Sequence, residues 1–434
     1  MTDTRIAGVR GRRVWDSRGR PTVEVDVTLK SGARGRAIAP AGASMGSGEA
    51  VDLRDGGAKL GGYDVGCAVR AVNGEIAAAL TNMEAADQAA IDRCLIGLDG
   101  TPNKGRLGGN AIVATSMAVL HATAGAHDVP LWQHLAQGQK VRIPLPEIQI
   151  FGGGAHAARR VDIQDFMVMC PGASSFAQAL EWTAEVYFAA GSIMKRAGKL
   201  QGVADEGGYW PAFRSNEEAL DTLVEAIRKA GFKGGPDVAI SLDVAASEFG
   251  KNGVYTLALD DRKLDTSAMI HMLETWCDTY PIISIEDPVA EDDADGFVAF
   301  TRANGDRCQV IGDDFLVTNA DRVRKAAGEG ATTAVLIKPN QAGTVSETKA
   351  ALDAGKAARF GTVVSARSGE TEDVTIVHLS IGWDAGQLKV GSFSRSERMA
   401  KWNECLRIEE SLGTDAVFAG ADALGFRSRE GDVR

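Results

Sequence analysis

Nothing in this chain pairs its cysteines. The six (Cys67, Cys94, Cys170, Cys277, Cys308 and Cys405) are scattered, with no CxxC and no paired spacing, which argues against a disulfide scaffold or a thiolate metal site. Free thiols are expected, and with them a cytoplasmic location. No basic block is found beyond the short Arg10–Arg13 cluster, and 47 basic against 58 acidic side chains leave a net charge of −11. A nucleic-acid partner, which needs a concentrated basic face, is therefore not expected. No long uninterrupted apolar run occurs either. The most apolar stretch, "NAIVATSMAVLHATAGA", is broken by Thr, Ser and His and reads as a buried helix, so no membrane association is expected. The N-terminus has charges but no apolar core behind them, unlike a targeting signal. Low-complexity tracts and near-identical repeats are also lacking.

What is present is organised. At 434 residues the chain suggests two domains, or a barrel with an appendage. "PTVEVDVTL" alternates Val23, Val25, Val27 and Leu29 inward with Thr22, Glu24, Asp26 and Thr28 outward, and Ser31-Gly32 turns it back into "RGRAIAP". Ala-rich helical stretches follow, to about His134. The pattern changes near "AQGQKVRIPLP", which sets the expected division at residues 1–138 and 139–434. Beyond it, short β-branched runs ("VAISLDV", "PIISIED", "CQVIGDD", "TAVLIKP", "GTVVSAR", "QLKVGS") are mostly separated by helix-sized stretches. One of these helices opens with a capping box, Ser215 to Glu218. This many βα units in series favours a closed (β/α) barrel.

Each run ends in a charged residue: Asp243, Glu286, Asp313, Lys338, Arg367, Lys389. Any one alone reads as a capping or salt-bridge residue. Together, in a barrel whose strand ends converge on one mouth, the three carboxylates form an all-oxygen site suited to Mg²⁺. The cations beside them suit a small anionic substrate. A lysine facing other cations and a metal is expected to have a depressed pKa, and Lys338 in "VLIKPNQ" is best placed to act as a base. "VADEGGYW" brings Asp205 and Glu206 near the same mouth. In "VVSARSGETEDV" a guanidinium, a hydroxyl and a glycine precede three carboxylates; the stretch is either a solvated loop or an anion pocket. "APAGASMGSGEA", residues 39–50, is either a plain connector or a lid.

With these residues in hand, the chain resembles the enolase family over nearly its whole length. "DSRGRPTVEVDV", "AGASMGSGEAVDLRDG", "RLGGNAI", "ADEGGY", "LDVAASEF", "SIEDPVAEDD", "IGDDFLVTN", "IKPNQAGT", "SARSGETED" and "RSERMAKWNECLRIEESLG" occur in the family's order. The resemblance implies an α/β protein: a smaller N-terminal α+β capping domain, then an enolase-type barrel that begins with two strands and two helices. It also implies a homodimer or higher homo-oligomer, Mg²⁺ dependence and a phosphorylated substrate. Carried over by position, Asp243, Glu286 and Asp313 would bind the metal, with Ser44 on a second ion. Lys338 would abstract the proton α to a carboxylate and Glu206 protonate the departing hydroxyl. Lys389, His156 and Asp165 would contact the substrate, and Arg367 with Ser368 its phosphate.

There are departures from the family's pattern. Ala366 stands where a histidine is usual, and Ala41 and Met45 alter the lid. Asp165 replaces a glutamate, and Ala158, Arg159 and Arg160 follow His156 in place of a Gly-Asn-Lys run. Three readings follow: interconversion of 2-phosphoglycerate and phosphoenolpyruvate, the same enolate chemistry on a related phosphorylated or phosphonylated carboxylate, or a non-catalytic binding protein.

Overall fold

The computed structural model describes residues 2–43, 46–424 and 426, so the expectations placed on Ser44 and Met45 lie outside the described residues. The N-terminal part is an antiparallel meander, Ile6–Trp15, Pro21–Leu29 and Arg34–Ile38, laid against a long helix, Gly109–Ala126. Val23, Val25, Val27 and Leu29 are buried as their alternation requires. Thr22 and Glu24, expected outward, are buried too. The Thr22 hydroxyl donates to the Ala39 carbonyl at 2.6 Å, and Glu24 pairs with Arg12 across the sheet. Gly35 lets this sheet touch the helix: a Cβ there would stand 2.1 Å from the Ala118 carbonyl oxygen.

Among the described residues eight strands close a barrel. All six β-branched runs read from the sequence are in it. The remaining two are "LPEIQIFG" and "DFMVM", Leu145–Gly152 and Asp165–Met169. The second of these runs antiparallel to both neighbours, opposite Leu145–Gly152 and Ala239–Asp243, while the other pairings are parallel. Its N-terminal end therefore lies at the mouth where the other strands finish, and Asp165 stands directly across from Asp243. Fully apolar strands such as Ala334–Ile337 fit here because both faces are covered, by the barrel interior and by outer helices.

Helix caps follow their sequence signals. The Ser215 hydroxyl accepts from the Glu218 amide, starting Asn216–Lys229, although Glu218 reaches back to the Arg214 amide at 2.7 Å rather than to Ser215. Lys389 departs from the reading by position: it is the fourth residue of Gly386–Ser392, in mid-strand, not at its end. None of the helices among the described residues is long and apolar enough to cross a membrane.

Candidate active site

The mouth of the barrel gathers the predicted side chains by backbone geometry. Asp243 and Glu286 are last in their strands, Asp313 and Lys338 follow theirs by one residue, and Arg367 follows Gly361–Ser365 by two. The capping part closes the mouth from above. Ala41 and Gly369 exchange two backbone hydrogen bonds, at 2.9 and 2.8 Å, and the Ile38 amide donates to Asp373 at 2.8 Å.

Lys389 Nζ lies 2.8 Å from Asp243 Oδ2 and 2.7 Å from Glu286 Oε2, and Lys338 Nζ is hydrogen-bonded to Asp313 Oδ2. The two lysines thus separate the three strand-end carboxylates. The acidic groups whose ligand atoms lie within 4.8 Å of one another are, among the described residues, Asp287 with Asp313 and Asp314, and His156 with Asp165 and Glu206. Asp287, at a left-handed φ of 41°, accepts from the amides of Asp313 and Asp314 at 2.9 and 2.8 Å, which fixes the Asp313 backbone.

Negative charge is in surplus at this mouth. Burial, with the Asp243 charge beside it, pushes the Glu286 carboxyl well above the usual range, and its Oε1 is buried with no hydrogen-bond partner. Burial and Asp313 push Asp314 up to about 8. Oxygen-only donors and a buried carboxylate oxygen with no hydrogen-bond partner fit a hard divalent cation. Lys338 corrects its expectation: burial is the largest influence and lowers its pKa, but the Asp313 and Glu286 carboxylates together prevail over burial and the nearby Arg367 and Lys389, and the pKa is raised, not depressed.

Across the cavity, His156 Nδ1 lies 3.0 Å from Asp165 Oδ1 and Nε2 lies 3.7 Å from Glu206 Oε1. Burial lowers the imidazole, but the two carboxylates lift it to about 9. Burial would raise Asp165 in turn, yet His156 and Lys389 hold it down at about 2. An imidazolium–carboxylate pair results. Arg367 and Ser368 line the same cavity, together with Lys338, Glu206, Asp243 and Lys389. Glu286 and Asp313, hydrogen-bonded to Lys389 and Lys338, do not line it.

The carboxylates after Arg367 are not in the pocket. Glu370 accepts from the Arg367 amide at 3.0 Å and pairs with the buried Lys401 at 2.9 Å, while Asp373 holds the capping sheet. The turn is a shaped one, not a solvated loop: buried Arg398 donates to the carbonyls of Arg367 and Ser368 at 2.7 and 2.6 Å.

Sequence reasoning missed Glu49, Glu147 and Arg398. Glu147 points into the barrel, where burial pushes it up to about 7, and it accepts from the Ser241 hydroxyl at 3.1 Å. The signal for it was the polar alternation Glu147, Gln149 within an apolar strand.

The chain is similar to known proteins along almost its full length. Residues 6–135 match the family model described as "Enolase, N-terminal domain", and residues 140–426 match "Enolase, C-terminal TIM barrel domain". A relative named Enolase 1, from Desulfitobacterium hafniense (strain Y51), is 50% identical over 430 residues, covering 97% of this chain and 98% of that protein.

Proposed function

The chain belongs to the enolase family, and on that premise we propose that it is an Mg²⁺-dependent enzyme that removes the proton α to a carboxylate and then eliminates water, converting 2-phosphoglycerate to phosphoenolpyruvate. It is a lyase of the enolase type; the metal, the substrate and the residue roles are the proposal. Residues 1–138 are taken as the capping domain and 139–434 as the catalytic barrel, supported by family matches that stop at 135 and resume at 140. The family's homodimer and a cytoplasmic location are carried over with this reading.

The observation that carries the proposal is one cavity lined by Lys338, Glu206, Arg367 and Ser368 together. Lys338 is the base for the α-proton. Glu206, held near His156 Nε2 at 3.7 Å and Arg398 Nη1 at 4.0 Å, is the acid that turns the leaving hydroxide into water. Arg367 offers a planar fork to the phosphate and Ser368 a hydroxyl. Lys389 and the His156–Asp165 pair orient the carboxylate end and the leaving group. Asp243, Glu286 and Asp313 would hold Mg²⁺, with Ser44 on a second ion. Bound there, the metal supplies positive charge where the substrate carboxylate gains negative charge as its α-proton leaves.

Exchange in D₂O tests the division of roles. Lys338→Ala is expected to abolish deuterium incorporation at the α-carbon, while Glu206→Gln retains exchange and loses elimination. Equal loss of exchange in both variants rejects the assignment.

A second reading, the same chemistry on a bulkier phosphorylated or phosphonylated carboxylate, is favoured by Ala366. It lines the cavity, as do the small side chains of Ala43 and Val390. Turnover of a panel of such acids distinguishes the two.

A further inference from the structure

Glu49 has no part in the reaction scheme above, yet it touches the anion grip. Its carboxylate accepts from Arg367 Nη1 at 2.8 Å and Nη2 at 3.3 Å, and Asn340 Oδ1 accepts from Nη1 at 3.1 Å. Both charged side chains are buried, 6% exposed for Glu49 and 3% for Arg367. A guanidinium so deep needs a counter-charge, and Glu49 supplies it. Glu49 is not part of the cavity lining, whereas Arg367 is.

The same carboxylate accepts from the Gly46 amide at 2.9 Å, closing the turn of its own segment. It also accepts from Gln341 Nε2 at 3.3 Å, and Gln341 Nε2 donates to Asp313 Oδ1 at 2.8 Å. Residues 46–50 are seated hard on the barrel. A Cβ at Gly46 would stand 2.6 Å from Val317 Cγ1, and one at Gly48 would stand 2.6 Å from Arg322 Nη2. The Ala50 amide completes the seat, donating to the Gln341 carbonyl at 2.8 Å.

We propose that Glu49 is a positioning residue that latches residues 46–50 to Arg367, so that the seating of this segment and the orientation of the guanidinium are one equilibrium. The proposal rests on the reading of Arg367 as the anion grip. When the segment lifts, Glu49 leaves with it, and Arg367 loses that counter-charge and the two hydrogen bonds to it. An anion held by Arg367 from the cavity orders the guanidinium and so favours the seated segment. Linkage makes the effect reciprocal.

The test uses the full chain with Mg²⁺ and inorganic phosphate as the probe. Amide hydrogen exchange is followed at residues 46–50 against barrel peptides, and phosphate affinity is measured by calorimetry. In wild type, phosphate is expected to slow exchange at residues 46–50. Glu49→Gln is expected to speed that exchange and weaken phosphate binding, each on the order of tenfold. Glu49→Asp, which keeps the charge, is expected to recover part of both, and Arg367→Gln to loosen residues 46–50 from a distance. Two results in Glu49→Gln overturn the latch: exchange as slow as wild type, or faster exchange with phosphate bound as tightly as before. Failure of phosphate to slow exchange in wild type overturns it without any variant. Undiminished phosphate binding by Arg367→Gln rejects the grip itself, a result distinct from the others.

Discussion

Ala366 presents a methyl group to the cavity between Ser365 and Arg367, and its amide is spent on the Lys389 carbonyl at 2.9 Å. A histidine there would stand beside the grip, within the same wall as the path proposed for the departing hydroxyl. One hydrogen bond to a charged group is worth about 1.5–3 kcal/mol, or about one to two orders of magnitude in rate when made in the transition state. Ala366→His is therefore expected to raise turnover of 2-phosphoglycerate by about that factor, measured as the rate of phosphoenolpyruvate formation. If the native substrate is bulkier, the ring fills the space that substrate needs, and the variant loses the native reaction without gaining this one. No activity on 2-phosphoglycerate in either protein, with Mg²⁺ binding intact, rejects the hydratase reading. At this scale the residue types were legible, because carboxylates, lysines and an Arg-Ser-Gly turn are recognisable wherever they stand. Their pairings were not. Lys338 looked like a lysine among cations, and its raised pKa comes from an Asp313 contact that no local spacing reveals.

Among the elements, the turn carrying Glu206 is held closely by packing. Gly207 has φ 95°, and a Cβ there would lie 2.5 Å from the Ser394 carbonyl oxygen. Gly207→Ala must both strain the backbone and push the turn off Ser394, at a cost of about 1–3 kcal/mol in stability. Elimination is expected to fall at least tenfold, because Glu206 moves with the turn, while α-proton exchange, which depends on Lys338, falls less. Denaturant unfolding together with the ratio of the two rates checks this. A fall in stability with the ratio unchanged rejects the link between turn and acid. The strand runs that supply most of the site were readable from their β-branched cores. The reversed direction of the strand Asp165–Met169 was not legible in its residues, because direction is a property of the pairing rather than of the strand. Only the reversed direction brings Asp165 from a strand's beginning to the mouth where the others end.

Over the whole molecule, the surplus of buried carboxylates makes metal binding and stability one quantity. A ligand that binds only the folded chain stabilises it by about 2.7 kcal/mol at a hundredfold excess over its Kd. Mg²⁺ is expected to raise the thermal unfolding midpoint, and Asp243→Asn or Glu286→Gln to remove most of that rise with little change in the metal-free midpoint. Calorimetric scans with Mg²⁺ and with chelator check it; an undiminished rise in both variants rejects the assignment. The two parts of the chain are joined around the site by long-range contacts: Ala41 with Gly369, Ile38 with Asp373, and Lys104 with Glu347 at 3.0 Å. By itself the amino-acid sequence determined the class of fold, the family and the chemical inventory of the site, since periodicity and residue type are local properties that survive without coordinates. The tertiary structure alone decided which charges neutralise which, that Glu49 lies on Arg367, and that Glu147 faces the barrel interior. Those depend on the register and direction of strands far apart in the chain, and a shift of one residue in register would turn every such side chain to the other face.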